Sequence, residues 1–471
     1  MELFIDPDAD RSVTRQLYEQ IRDAILSGRL GPGERLTPSR AVAAELGIAR
    51  STVTDAYESL AAEGYIEGRA GGGTAVTGGH GPYPQSPSPG ALAPTPRSAA
   101  LQRYDDDPQA EAAFDLRPGR VDPDLFPAVV WRRCLLSGLR RTSAQYGDPV
   151  GAFDLRAALS RWLTSSRGIT LTPEQMVVTA GTGHAIDLVA RVLLSPGDVV
   201  GVEEPGYPPV RELLRSHGVD AVGVPVDEHG IVVDAIPAGT RLVYVTPSHQ
   251  YPLGVVLSRR RRLELLHWAG RHGAAIVEDD YDSEFRHTTR PLEPLHRLDR
   301  DGRVIYVGTF SKILSPALRM GFMVAPMTLV PAIIAVRQAI DWCPPSAAQE
   351  ALTVFVDGGH LGRHLRRVRA AYTPRFHRIH RELLDRLPAG YRPLPAHAGL
   401  HLAVVGPDTA SQDDPAHTLL RHGVLVASLR RSYQDPGPVT GFLVGFGALP
   451  TEQTAAAVDT LATGLTALTG R

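Results

Sequence analysis

The sequence predicts an α/β protein in two unequal parts, a small helical unit with a hairpin and a large unit built on a mostly parallel sheet. Three observations predict it. Residues 78–113 are dense in Pro, Gly, Ser and Ala and poor in large apolar side chains, so they read as a flexible linker between residues 1–77 and residues 114–471. Before the linker, apolar residues recur at helical spacing. After it, short β-branched runs closed by polar or turn residues alternate with helical stretches, as in parallel strands covered by helices.

The totals set bounds. A chain of 471 residues exceeds one ordinary core. With 43% hydrophobic and 21% charged residues it is globular, and a net charge of −2 means that any surface for nucleic acid has to be local. Cys134 and Cys343 are the only cysteines, too few for a disulfide framework or a zinc cluster, and no metal is expected. The start, MELFIDPDADR, lacks a signal-peptide apolar region. The longest apolar run, GFMVAPMTLVPAIIAV, is broken by Pro326 and Pro331 and falls short of the roughly 20 residues of a membrane span. A cytoplasmic protein with no membrane partner is expected.

In the small part, LYEQIRDAILSGRL places Leu17, Ile21, Ile25 and Leu26 on one helical face ending near Gly28. TPSRAVAAELG opens with Thr37 as N-cap and Pro38 at the first helical position, turns Val42 and Leu46 inward, and closes at Gly47. RSTVTDAYESLAAEG gives a third helix with Val53, Tyr57 and Leu60 buried; its cap is Ser51, since Ala49 has no side-chain oxygen. YIEGRAGGGTAVT alternates around glycines like a hairpin. Helix, helix, short turn, helix and wing is the order of a winged helix-turn-helix, which binds double-stranded DNA with its last helix in the major groove.

Residues 1–77 carry 8 Arg against 12 Asp and Glu, so placement matters more than the sum. Arg50, Ser51, Thr52 and Thr54 stand at the start and outer face of the third helix, where base edges are read. Ser39 and Arg40 open the second helix, whose first amides favour phosphate. Gly72, between Gly71 and Gly73, lets a wing approach the backbone closely.

In the large part, MVVTAGTGHAIDLVARVLL reads as strand, glycine turn and helix, while DVVGVEEPGY, RLVYVTP, AAIVEDDY and RVIYVGTFSK read as strands. In such sheets ligands gather at the carboxyl ends of strands. Within GTFSKILSPALRMG stands Lys312, the only lysine; the other 48 of 49 basic residues are arginine. Arginine matches lysine as a cation but cannot serve as a nucleophilic amine. A retained ε-amine just past a strand suits a Schiff base.

Its neighbours complete a site for pyridoxal 5′-phosphate (PLP). Asp279, closing a strand, suits the pyridine nitrogen, and Tyr281 emerges two residues on. Thr182 and Gly183 offer amides at a helix start to a dianionic phosphate. Thr309 and Arg319 flank the lysine with a hydroxyl and a fork of donors, and Tyr207 in EEPGYPP is placed to stack on a ring.

GERLTPSRAVAAELGIARSTVTDAYESLAAEGYIE resembles the GntR class of bacterial regulators. Residues 114–450 look like a fold-type I aminotransferase domain, on QYGDPVGAFDLRAALSRWL, VEEPGYPPVRELL, YVTPSHQYPLGVVLS, EDDYDSEFR and GTFSKILSPALRMGFMVAP. Together the chain resembles the MocR/GabR type of regulator. That resemblance implies Lys312 as the cofactor lysine, Asp279 as the ring-nitrogen partner, Tyr281 as a pocket residue and Tyr207 as the stacking ring. It also implies that Tyr146 of QYGDP reaches the phosphate in a neighbouring subunit, so that the protein is a homodimer, head-to-tail.

The sequence departs from ordinary aminotransferases in two places. Tyr251-Pro252-Leu253-Gly254 stands where they have Asn-Pro-Thr-Gly, leaving His249 or Tyr281 to meet the ring oxygen. GFLVGFG lacks the arginine that grips a substrate carboxylate, leaving Arg430 and Arg431 in VASLRRSY as candidates for the effector. The leading expectation is a PLP-binding transcriptional regulator responding to PLP or to an amine or amino acid at Lys312. The alternative is an active aminotransferase with an accessory winged helix.

Overall fold

The computed structural model describes residues 3–6, 9–69, 73–78, 92–101, 111–140, 145–287, 293–407, 414–434 and 439–469, the side chains of Arg69 and Thr469 excepted. Internal contacts divide the chain into Met1–Ala93 and Pro94–Arg471.

The small unit forms three helices and a hairpin. Helix α1, Val13–Leu26, is capped by Ser12, whose Oγ accepts the Arg15 amide at 3.4 Å. It buries Leu17, Tyr18, Ile21 and Ile25. Leu26, expected on the same face, is 43% exposed, because one residue past Ile25 turns a side chain about 100° away from the stripe. Helix α2, Ser39–Leu46, ends on Gly47 at φ 66°. Its N-cap is Pro38 and not Thr37; the Thr37 carbonyl instead accepts the Tyr57 hydroxyl at 2.7 Å. Helix α3, Arg50–Ala62, starts from Ala49 with no side-chain cap, and Ser51, expected as cap, lies inside its first turn. Val53, Ala56, Tyr57 and Leu60 form its buried stripe at the i, i+3, i+4, i+7 spacing. Strands β1, Ile66–Arg69, and β2, Gly73–Val76, pair antiparallel.

The large unit begins with α4, Pro96–Ala100, a short helix within the stretch read as linker, then β3, Phe114–Asp115, α5, Ala128–Leu139, and α6, Phe153–Arg167. Its main sheet has eight strands: β4 (Met176–Thr179), β5 (Val199–Glu204), β6 (Asp220–Asp227), β7 (Gly230–Ile231), β8 (Thr240–Val245), β9 (Ala275–Asp280), β10 (Val304–Thr309) and β11 (Gly321–Val324). They lie in the order β4-β11-β10-β9-β8-β5-β6-β7. From β6 through β5, β8 and β9 to β10 every pairing is parallel. The mostly parallel sheet is therefore correct at its centre, while β11 runs antiparallel to β10 and β4, and β7 antiparallel to β6. Every residue of β4 and β10 is buried, which is why these strands read as continuous apolar runs.

Helices α7 (Thr182–Leu193), α8 (Pro208–Ser216), α9 (Arg259–His272), α10 (Leu295–Leu298), α11 (Val330–Ile340) and α12 (Ser346–Asp357) accompany this sheet. The 27-residue α13, His360–Arg386, leads to a second sheet that the sequence reading did not separate. It comprises β12 (Arg392–Pro393), β13 (His401–Val405), β15 (Ala427–Ser428) and β16 (Gly441–Gly445), all antiparallel. Strand β14, Val424–Leu425, pairs in parallel with β3; α14, Pro415–Arg421, and α15, Thr454–Thr469, complete the unit.

Ile21 is fully buried where α1 meets the rest of the small core. Ile21→Ala is expected to cost the small unit about 2–5 kcal/mol, seen as faster hydrogen exchange of the α1 and α3 amides with the large unit's amides unchanged.

Candidate functional site

The parallel strands bring their carboxyl ends to one edge, and a cavity of about 400 Å³ opens there. The turns after β4, β5, β8, β9 and β10 supply Thr182, Tyr207, Thr246, Tyr281 and Lys312 to its wall, and Pro118, Gly119, Leu400 and His401 close it from the other side. Of the residues selected from sequence for the cofactor, Thr182, Gly183, Tyr207, Asp279, Tyr281, Thr309, Lys312 and Arg319 all line this one cavity.

Lys312 is half-buried and its Nζ donates to the Gly119 carbonyl at 3.0 Å. Gly119 sits at φ 88°, left-handed backbone that favours glycine, and a Cβ there would stand 2.7 Å from Nζ and displace it. Burial lowers the Lys312 pKa, opposed by Asp282 and Asp279, which moves the amine toward its nucleophilic form.

Asp279 pairs in register with Val307 of β10. Tyr244 on β8 donates its hydroxyl to Asp279 Oδ2 at 2.7 Å, while Asp279 Oδ1 is buried without a partner. Burial pushes its carboxyl up to about 7, against the lowering effect of the Tyr244 hydrogen bond. A buried acceptor without a partner, on a residue that lines a cavity, is one that a ligand's N–H could satisfy.

The turn Ala180-Gly181 and the start of α7 form the opposite end. Gly181 caps the helix at φ 100°, and the first-turn amides that follow have no intrahelical acceptor. Arg319 donates to the Ala180 carbonyl at 2.7 Å and its guanidinium lies over Gly181. Its φ of 49° is left-handed backbone in a non-glycine residue, strain of a kind concentrated at functional sites. Thr309 Oγ1 donates to Ser311 Oγ at 3.0 Å; Ser311 also lines the cavity and escaped the sequence reading.

Tyr207 meets Tyr251 edge-on at 5.2 Å. Tyr281 donates to the His249 carbonyl at 3.0 Å, with His249 Nδ1 at 3.1 Å. His249 itself stands behind the wall and not in it, its Nδ1 2.9 Å from Asp282 Oδ2. Among the described residues, His249, Asp282 and His401 alone bring three metal-donor atoms within 4.8 Å of one another. Two of these rings already have partners, Asp282 for His249 and the Pro252 carbonyl for His401.

Besides His249, three selected residues lie away from the lining. Tyr146 is 79% exposed and packs on Trp342 at 5.3 Å. Arg430 is half-buried and Arg431 exposed, on the turn Leu429–Ser432. That turn is tied to the Tyr207 loop, the Ser432 carbonyl accepting the Gly206 amide at 2.9 Å.

Sequence reasoning missed the supports. Glu203 accepts from the Thr246 hydroxyl at 2.6 Å and amide at 3.0 Å, and burial raises its carboxyl to about 7. Asp280, one residue past Asp279, pairs with Arg167 and accepts from Tyr306 at 2.5 Å. Arg167 holds its carboxyl below the ordinary value despite burial.

In the small unit, Ser39 and Arg50 begin α2 and α3, with Arg50 Nε 3.5 Å from Ser39 Oγ. Arg40, Arg50 and Ser51 are exposed, and Thr52 and Thr54 half-buried, Thr54 donating to the Arg50 carbonyl at 3.0 Å. Gly72 lies outside the described residues.

The Asp279 pKa gives a signed expectation for the ligand-free protein. An aspartate in the unfolded chain loses its proton near pH 4, whereas Asp279 holds it to about 7. The folded chain binds more protons across that window, so this residue's contribution to stability falls as pH rises through it. Asp279→Asn should match the parent below about pH 4 and exceed it by an amount on the order of a few kcal/mol above the window, measured by urea unfolding against pH.

Residues 121–437 match the family model for aminotransferase class I and II, and residues 13–76 that for bacterial regulatory proteins of the gntR family. The chain is 36% identical to the probable rhizopine catabolism regulatory protein MocR of Rhizobium meliloti, covering 99% of this chain and 96% of that protein. It is 32% identical to the HTH-type pyridoxine biosynthesis transcriptional regulator PdxR of Corynebacterium glutamicum, covering 95% of each. Among solved structures, a kynurenine aminotransferase of Pyrococcus horikoshii in complex with PMP is similar at a TM-score of 0.72 and 27% identity, covering 79% of this chain and 96% of that one. The α-aminoadipate aminotransferase LysN of Thermus thermophilus, complexed with N-(5′-phosphopyridoxyl)-L-leucine, follows at 0.70 and 27%, covering 76% and 93%. The chain thus belongs to the MocR-type family of HTH transcriptional regulators, in which a gntR-type DNA-binding domain is fused to an aminotransferase-like domain.

Proposed function

We propose that this regulator holds PLP at Lys312 and uses the loaded cavity to sense PLP itself or an amine or amino-acid effector. One observation carries the reading: the only lysine and a buried aspartate with an orphaned oxygen face the same cavity. The residues present fit the cofactor at each of its ends. Asp279 Oδ1 would accept the ring N–H while Tyr244 fixes the other oxygen. Arg319, Thr309 and the first amides of α7 would hold the phosphate, and Tyr207 would lie against the ring. When bound, PLP supplies an aldehyde that captures a primary amine and an electron-poor ring. Tyr281, positioned by His249, would meet the ring oxygen in place of the missing asparagine.

Residues 1–77 serve as the DNA-binding part, residues 78–113 as the tether and residues 114–471 as the effector part. Ser39, Arg40, Arg50, Ser51, Thr52 and Thr54, with Gly72 in the wing, form the surface for a double-stranded operator. The exposure of Tyr146, beside Trp342 at φ 66°, supports its use by a second subunit in a head-to-tail homodimer. Arg430 and Arg431, on a turn tied to the Tyr207 loop, serve an effector's acid group from the rim. A differential affinity of about 1–3 kcal/mol between two arrangements of the large parts suffices to regulate DNA binding. Such a regulator works in the cytoplasm, and no described helix is long and apolar enough to cross a membrane.

Borohydride reduction with PLP should label one peptide, that of Lys312, and Lys312→Ala should lose the lysine-linked absorbance band while remaining folded. A variant that keeps the band refutes the lysine assignment. Sustained keto-acid production from an added amino acid would mark an active aminotransferase instead; a spectral change without turnover marks a sensor. Arg50→Ala should weaken binding to DNA upstream of the protein's own gene by about tenfold, and an unchanged gel shift removes Arg50 from the contact surface.

A further inference from the structure

Helix α13 has an apolar face and a basic one. Leu361, Leu365, Val368, Tyr372, Ile379 and Leu383 recur at helical spacing and are buried. Its 27 residues also hold 8 arginines against Glu382 and Asp385, in a chain whose net charge is −2. At about 100° per residue, Arg363, Arg366, Arg367, Arg378 and Arg381 fall within about 60° of one line opposite the buried stripe. All five are exposed. From Arg363 to Arg381 the line runs about 27 Å.

Little within the protein answers that charge. Arg378 meets Glu382 at 3.6 Å, and Glu382 is shared with Arg386. Arg363 and Arg367 donate to the carbonyls of Gly358 and Asp124, which hold the side chains without neutralising them. Arg366 and Arg381 reach solvent with no carboxylate at ion-pairing distance among the described residues. Asp385 is the one acid on this face. A helix face that is merely solvated carries both signs, as where Arg15 meets Glu19 on α1.

The small unit has the opposite balance. Residues 1–77 carry 8 Arg against 12 Asp and Glu, whereas affinity for duplex DNA comes largely from cations set against phosphates. Arg40 and Arg50 serve a short stretch of duplex, but the charge needed to hold a longer one lies elsewhere in the chain.

We propose that the Arg363–Arg381 face of α13 is a second DNA-contact surface, holding the phosphate backbone beside the operator without reading its sequence. It rests on the DNA-binding assignment and lies outside the winged-helix surface. A duplex presents one charge per about 1.7 Å of axis, so a line of about 27 Å offers each arginine a phosphate. The guanidinium fork suits phosphate oxygens.

The test uses the full-length protein and a fluorescent duplex of about 60 base pairs of arbitrary sequence, titrated by anisotropy over a range of salt. Arg363, Arg366, Arg367 and Arg381 are changed together to glutamine, and in a second protein to lysine. The glutamine variant is expected to bind about tenfold more weakly and to flatten the slope of log K against log salt by about 3. The lysine variant keeps the charge and should keep the slope. Arg366→Gln with Arg381→Gln, which breaks no ion pair within the chain, should give about half the change in slope and serves where the fourfold variant does not fold. A folded glutamine variant with the parent's affinity and slope overturns the proposal. So does one whose only change is a smaller mass in sedimentation, which assigns the face to the acidic small unit of a second copy. Parent protein that binds no duplex defeats the DNA-binding assignment and this surface with it, a result distinct from DNA binding that ignores α13.

Discussion

The hydrogen bond from Tyr244 to Asp279 organises the large unit's chemistry. It exists because β8 and β9 run parallel with Tyr244 opposite Val277, so that Asp279, two residues further along, faces the same side as the tyrosine. A slip of one residue would turn either side chain to the other face. The bond occupies one carboxyl oxygen and leaves the second buried without a partner, in a setting dry enough to raise its affinity for a proton. Strand β10, parallel to β9, then delivers Lys312 to the same edge. The two groups are matched by strand register before any ligand arrives.

Strand β9 carries a second carboxylate in the adjoining position with the opposite fate. Asp280 points to the other face, where Arg167 and Tyr306 meet it, and it stays ionised although fully buried. Asp279 has a hydroxyl and no ion pair, only the weaker pull of Lys312, and burial raises it. Two neighbours of the same chemistry are separated by the period of the strand into a structural acid and a receptive one.

Much of this was legible in the chain. Helical periodicity marked Leu17, Ile21, Val53, Tyr57 and Leu60 as core, and each is buried. The lone Lys312 and the motifs around it marked a crevice whose lining contains most of the residues chosen. What escaped depends on through-space partners. Tyr244 reads as a strand aromatic until β9 is laid beside it. Asp282 and His249 are 33 residues apart and meet only after β9 turns back over the SHQ segment. Gly119 lies 193 residues from Lys312 in sequence. Local rules also failed at the start of α2, where Pro38 stands at the cap position given to Thr37. The reversed strand β11 gave no signal because a buried apolar run looks the same in either direction.

Gly119 accepts from the lysine only four residues beyond β3, the strand by which the incoming chain joins β14. A nitrogen engaged with a guest has fewer hydrogens to spare for that oxygen. A bond formed at Nζ would therefore cost the entry segment this anchor. A guest on that nitrogen would be felt first in the main chain, at the Gly119 carbonyl.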